Sequence, residues 1–230
     1  MNELELTGRA RTHIVDVDDP RCALHRDAVR PFLDMRNAAA AADIDLVPVS
    51  SFRDFDAQLR VWNEKYRGER TLYDRDGRPL AHAALSEPEL IEALLWWSAV
   101  PGASRHHWGT EIDVIDRNAL PQDQGLKLLP IEFGPAGPFA RLNDWLDEHM
   151  QKHGFFRPYR SDRGGVAPEP WHLSYGPVAE RALEQMTVDV LRAALEERAV
   201  DGKAVVLQML AEIHRRYVAN VDAPPASSLA

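Results

Sequence analysis

Cysteine is nearly missing from this 230-residue chain, where Cys22 stands alone. That excludes an internal disulfide and a zinc site built from cysteines. An excess of basic charge is missing too. Lys and Arg number 27 against 36 Asp and Glu, a formal net charge of −9. A broad electrostatic grip on nucleic acid or on an anionic membrane is therefore not expected. No apolar run is long enough to span a bilayer; the longest, LIEALLWWSAV (90–100), holds Glu92. The opening stretch MNELELTGRARTHIVDVDDP has no apolar core of a secretory signal. The expectation from this is a cytoplasmic protein, with export by a non-standard route or release by lysis as the alternatives. The HExxH motif of helical zinc proteases and the G-x-S-x-G elbow of serine hydrolases are both absent.

What is present is the composition of an ordinary globular protein, 45% hydrophobic and 27% charged. The length suits one large domain or one domain with an appendage. Residues 25–42 read as a helix with Pro31 in its first turns, and LVPVSSFR (46–53) as a strand leading into a turn. Phe55, Leu59, Trp62 and Tyr66 fall on one face of a helix over 54–66. Residues 73–82 form a loop or hairpin turning at Asp76-Gly77. Ser86 with Glu89 makes a capping box for a helix running to Pro101-Gly102. TEIDVID (110–116) alternates and is β-branched, so it reads as a strand, followed by a long loop over 117–137. Pro138 begins a helix with the stripe Phe139, Leu142, Trp145, Leu146 and Met150, ending at Gly154. PWHLSY (170–175) is a short strand. Two helices broken at Asp201-Gly202 fill most of 177–219, and 220–230 reads as a disordered tail. No regular βαβ rhythm is present, so the fold class is α+β.

Within this frame SRHHWGTEID (104–113) is the densest chemistry. On the strand, Thr110, Ile112 and Val114 share one face, and Glu111, Asp113 and Ile115 the other. Asp113 sits mid-strand, where a carboxylate is costly to bury without a partner. Gly109 allows a sharp bend, so His106 can fold back towards the start of the strand. His and Asp are zinc ligands through nitrogen and oxygen, and a catalytic zinc takes about three protein ligands. His172, opposite in parity to Trp171 and Leu173, is the natural third. Glu169 lies three residues earlier across a proline and projects from the preceding loop. There it could accept a proton from water held in the site instead of binding the ion. Each residue also has a plainer reading: histidines are often surface or core groups, Asp113 could be a hydrogen-bonded strand acid, and Glu169 a solvated loop acid. His107, Glu111 and Asp116 read as supporting or surface groups.

Ser104-x-His106-x-x-Gly109-x-x-x-Asp113 followed by Glu169-x-x-His172 resembles the D-alanyl-D-alanine carboxypeptidase and dipeptidase family of zinc peptidases, the VanY and VanX type. Their zinc-binding fold is shared with the Hedgehog signalling domain and some phage endolysins. Ser50-Ser51-Phe52-Arg53-x-x-x-x-Gln58 is similar to the family's Ser-Gly-Tyr-Arg…Gln segment, with Ser51 in place of Gly and Phe52 in place of Tyr. The resemblance spans about 46–175. It implies a small central antiparallel sheet carrying the zinc site, flanked by helices. The helices after Pro177 are outside the resemblance; the expected division is a peptidase domain over 1–176 and a helical extension over 177–219 packed on it. The resemblance implies that His106, Asp113 and His172 bind Zn2+ and that Glu169 is the general base and then acid. Arg53 would polarise the scissile carbonyl, and Gln58, Ser104 and Trp171 would line the substrate site. The implied substrate is a short peptide ending in D-alanine or a peptidoglycan stem peptide. A phage-type endopeptidase and a zinc-bearing binding protein without turnover are the alternatives. A serine hydrolase through Ser104 or Ser174 is disfavoured by the missing elbow. Oligomeric state is not legible.

Overall fold

A capping box between Asn2 and Glu5 starts the chain with a short helix, α1 (Glu3–Leu6). The computed structural model describes residues 1–121 and 125–224. A hairpin of β1 (Ile14–Val17) and β2 (Cys22–His25) follows, and the His25 side chain caps α2 (Arg26–Ala40). Next come β3 (Leu46–Ser50), α3 (Phe55–Tyr66) and α4 (Glu87–Leu95). β4 (Glu111–Asp116), α5 (Ala140–His149), β5 (Phe155–Phe156) and β6 (His172–Tyr175) complete the region around the site. Four helices close the described chain: α6 (Gly176–Gln185), α7 (Val188–Glu196), α8 (Lys203–Gln208) and α9 (Leu210–Ile213), the last running into a π turn over His214–Val218. The class is α+β, as expected.

The main sheet is antiparallel in the order β3-β4-β6-β5. β4 is central and buried along its whole length, which suits its β-branched content. Ile112 and Val114, with Leu173 of β6, face a core built with α2 and α5. The opposite face carries Glu111 and Asp113. The register sets Glu111 against Ser174 and Asp113 against His172, so these four side chains share one face as cross-strand neighbours.

A second core joins α1, α3 and α4 to the C-terminal helices, with Trp62, Ile91, Leu94, Trp108, Leu191, Val206 and Leu210 all buried in it. The chain after residue 176 therefore packs on the N-terminal elements through α3 and α4. Trp62 Nε1 donates to the Asp201 carbonyl at 3.0 Å, and Asn63 exchanges hydrogen bonds with Ala199 and Asp201.

Several elements differ from the sequence reading. α4 begins at the Ser86–Glu89 capping box but stops at Leu95, short of Pro101. The next backbone carbonyls are taken by tertiary donors: Trp96 O accepts from Ala167 N at 2.9 Å, and Ala99 O from Gln58 Nε2 at 2.6 Å. The C-terminal helices carry a further break at Met186-Thr187, where Thr187 caps α7. Part of the expected disordered tail is tied down. Asp222 N donates to Pro158 O at 2.9 Å, and its carboxylate accepts from Ser161 N and Oγ. Residues 225–230 lie outside the described residues. No described helix is long and apolar enough to cross a membrane.

Candidate active site

The site lies at the seam of the two cores. Ser104 precedes a 3₁₀ turn over Arg105–Trp108, packed into the helical core through Trp108. Gly109 ends this turn at φ +66°, a left-handed conformation that costs a side-chain-bearing residue strain. A Cβ there would meet His25 N at 2.7 Å, so the position excludes a side chain on both counts. The bend delivers His106 onto the polar face of the sheet.

His106, Asp113 and His172 converge there. One ligating atom from each lies within 4.8 Å of the others. His106 Nε2 is 3.4 Å from Asp113 Oδ2, and His172 Nδ1 is 3.0 Å from Asp113 Oδ1. Glu169 reaches the edge of the cluster from its loop, with Oε2 3.3 Å from His172 Nδ1. The backbone N–H of Glu169 donates to Tyr159 O and that of His172 to Glu169 O, which fixes the loop.

The outward nitrogens of both imidazoles are held. His106 Nδ1 lies 2.8 Å from the Ser51 carbonyl, its donor role, which leaves Nε2 with a lone pair facing the cluster. His172 Nε2 lies 2.8 Å from Glu111 Oε2. This carboxylate–imidazole arrangement orients a metal-binding histidine and raises its basicity. Glu111 is fully buried between His172, Ser174 and Arg105. Burial alone would raise its pKa, but the Arg105 guanidinium and the His172 hydrogen bond outweigh that and hold it down at about 2. Burial likewise opposes the Asp113 charge, and the two imidazoles hold its pKa well below the usual carboxylate range.

These residues fit a divalent cation. Asp113 Oδ1 is buried and accepts no well-directed hydrogen bond, although His172 is close. Burial disfavours a charged His172, yet the carboxylates of Asp113, Glu111 and Glu169 hold its pKa well above the ordinary value. Three carboxylates thus converge on one imidazole. Even paired, charges withdrawn from water carry a desolvation penalty of several kcal/mol each, whereas an apolar side chain buried there would contribute about 1.5–3 kcal/mol. Stability does not account for this arrangement, and cation binding does.

A cavity of about 380 Å³ opens over the cluster. Arg53, Ser104, Glu169 and Trp171 line it together with the three candidate ligands. Arg53 is held by Gln58 Oε1 at 2.8 Å and Ser50 Oγ at 2.9 Å, and its backbone N–H donates to His106 O. Gln58 corrects the sequence reading. It is 1% exposed and is not on the cavity wall; its amide joins Arg53 to Ala99 O. It holds Arg53 from behind the cavity wall. Ser51, standing where the resemblance places Gly, accepts from Ala23 N through its hydroxyl and holds His106 through its carbonyl.

Three contributors were missed or underrated by sequence reasoning. Glu111 was readable from strand parity with Asp113. His107 is fully buried and bridges Arg53 O and Gly102 N, and burial pushes its pKa down to about 3. Arg105, stacked 4.6 Å over Trp108, is the counter-charge to Glu111, and no spacing signalled it.

The family model for VanY, D-alanyl-D-alanine carboxypeptidase, matches residues 21–178. This chain belongs to the VanY family. Every residue placed in the site above lies inside that span. A D-alanyl-D-alanine carboxypeptidase of Enterococcus faecalis is 30% identical over 151 residues, which cover 64% of this chain and 46% of that protein. An "uncharacterized protein" of Haemophilus influenzae is 36% identical over 121 residues, 52% of this chain and 92% of its own. Among solved structures, a variant of the vancomycin resistance D,D-pentapeptidase VanY in complex with Zn(II) matches with TM-score 0.51 at 22% identity, covering 74% of this chain and 82% of that one. VanYB in complex with D-alanine-D-alanine matches with TM-score 0.50 at 23% identity, covering 74% and 80%. At these identities the structures establish the VanY fold.

Proposed function

We propose that this VanY-family protein is a zinc-dependent peptidase acting on short peptides that end in D-alanine, of the kind found in peptidoglycan stems. The observation that carries this reading is the convergence of His106, Asp113 and His172 beneath a cavity that also holds Glu169 and Arg53. The family match and the Zn(II) and D-alanine-D-alanine complexes of similar structures support it.

His106 Nε2, an Asp113 oxygen and His172 Nδ1 would hold the zinc. Once bound, zinc supplies a Lewis acid that brings the pKa of coordinated water to about 7. Ser51 O and Glu111 keep the two imidazoles turned towards the ion. Glu169, at the cluster's edge, takes a proton from the attacking water and returns it to the leaving amine. Arg53, steadied by Gln58 and Ser50, donates to the scissile carbonyl oxygen as negative charge grows there. A binding module would need neither group in its cavity.

The test is a metal assay with D-alanyl-D-alanine, tetrapeptide and pentapeptide substrates. EDTA should abolish hydrolysis and zinc restore it. Glu169→Gln should keep stoichiometric zinc yet lose about 10²–10⁴-fold in kcat. A Glu169→Gln protein with undiminished turnover would remove this residue from the mechanism.

A further inference from the structure

The cavity is cationic in an acidic protein. Arg53, Lys65, Arg70, Arg105 and Lys127 line it, against the carboxylates of Asp113 and Glu169. Arg53 and Arg105 are engaged with the groups described above, and Arg70 is paired with Glu64 at 2.5 Å. Lys65 differs. Its ammonium donates to Ser98 Oγ at 2.5 Å, and no carboxylate of the described residues lies within 4.0 Å of it. Burial pushes its pKa down to about 8, against the attraction of the Glu169 carboxylate. An ammonium withdrawn from water beside a hydroxyl, with hydrogens to spare and no carboxylate of the described residues in direct contact, is poised for an anion.

Its place on α3 sets which anion. Gln58, which holds Arg53, and Lys65 are seven residues apart on one face of the helix, about 10 Å along its axis. Helical side chains lean towards the N-terminus, so the Lys65 stem leans back towards Val61, which also lines the cavity. Arg53, held at Gln58, and Lys65 line one cavity, and a helix rise of about 10 Å less the backward lean of the lysine stem corresponds to one or two residues of extended peptide at about 3.5 Å each.

We propose that Lys65, steadied by Ser98, binds the free C-terminal carboxylate of a peptide whose scissile carbonyl lies between Arg53 and the His106–Asp113–His172 cluster. The subsite makes the protein an exopeptidase that releases one or two terminal residues, and it disfavours cleavage within a chain. It rests on the peptidase reading above for its substrate, but not for its test.

The probes are acetyl-D-alanyl-D-alanine and its C-terminal amide. Their binding to zinc-loaded Glu169→Gln protein is measured by calorimetry, in that background and with Lys65→Met added. The acid should bind about tenfold to a hundredfold more tightly than the amide in the Lys65 protein, the range for a charge-assisted hydrogen bond. That preference should largely collapse with Lys65→Met. Ser98→Ala, which leaves the ammonium in place, should reduce it partially and covers the case of a poorly folding Lys65 variant. An equal preference with and without Lys65, no preference in the Lys65 protein, or no binding of either probe would overturn the subsite. Turnover by the wild-type protein is read separately. Lys65-dependent preference without turnover would sink the peptidase reading and leave the subsite standing; turnover with Lys65-independent preference would do the reverse.

Discussion

Glu111 is buried without contact to any candidate metal site except through the imidazole it holds, and this makes its role measurable. Its Oε2 accepts from His172 Nε2 at 2.8 Å while Oε1 meets Ser174 and Arg105. Glu111→Gln keeps the shape but removes the charge that orients His172 and raises its basicity. Outer partners of this kind are typically worth about 10–100-fold in metal affinity. Competition with a chromogenic chelator should show zinc affinity falling by that factor, and an unchanged affinity would show that His172 is oriented without it. The residue was within reach of the sequence. Strand parity places Glu111 on the face of Asp113, and parity on PWHLSY places Ser174 with His172. What parity does not supply is the register, and the register set Glu111 opposite Ser174. Gln58 shows the reverse case. Its spacing from Arg53 is legible, but only packing reveals that the Ala99 carbonyl claims its amide and keeps it off the cavity wall.

At the scale of elements, patterns with a local cause were legible and ends set by distant partners were not. α3 begins at its Asp54 cap and α5 carries the stripe Leu142, Trp145 and Leu146 behind its N-cap Phe139 because capping and periodicity are local. α4 begins where its capping box says but ends early, since Ala167 and Gln58 are far away in sequence. The turn joining the Arg105–Trp108 segment to β4 is the element on which the site depends. Its glycine was read as a bend; the structure adds that β2 closes over it, with Gly109 O accepting from His25 N at 2.7 Å. Gly109→Ala would place a Cβ 2.3 Å from Ile14 Cδ1 and 2.7 Å from His25 N. Ile14 can move, but the backbone nitrogen cannot without parting β2 from the turn. With the left-handed φ, the cost should be at least about 1–3 kcal/mol. Urea unfolding should show the lowered midpoint and chelator competition a weakened zinc site. Wild-type values for both would mean that β2 yields freely and does not brace the site.

The whole molecule sets two apolar cores against each other, and the polar cluster joins them. His106 comes from a turn anchored in the helical core by Trp108, while Asp113 and His172 come from strands whose other face belongs to the sheet core. Neither core alone holds three ligands. The C-terminal helices, which carry none of the candidate ligands, therefore act on the site through α3, α4 and Trp108. Leu210 of α9 is fully buried in that core, and Leu210→Ala should cost about 2–5 kcal/mol. If the cores are one cooperative unit, the loss appears as a single earlier transition in which tryptophan fluorescence and zinc release coincide. Excess zinc should raise the midpoints of parent and variant alike, because the ion binds only the folded cluster. Zinc release on a separate transition, unmoved by Leu210→Ala, would show that the sheet side holds the ion by itself and that the helices after Gly176 are dispensable to the site.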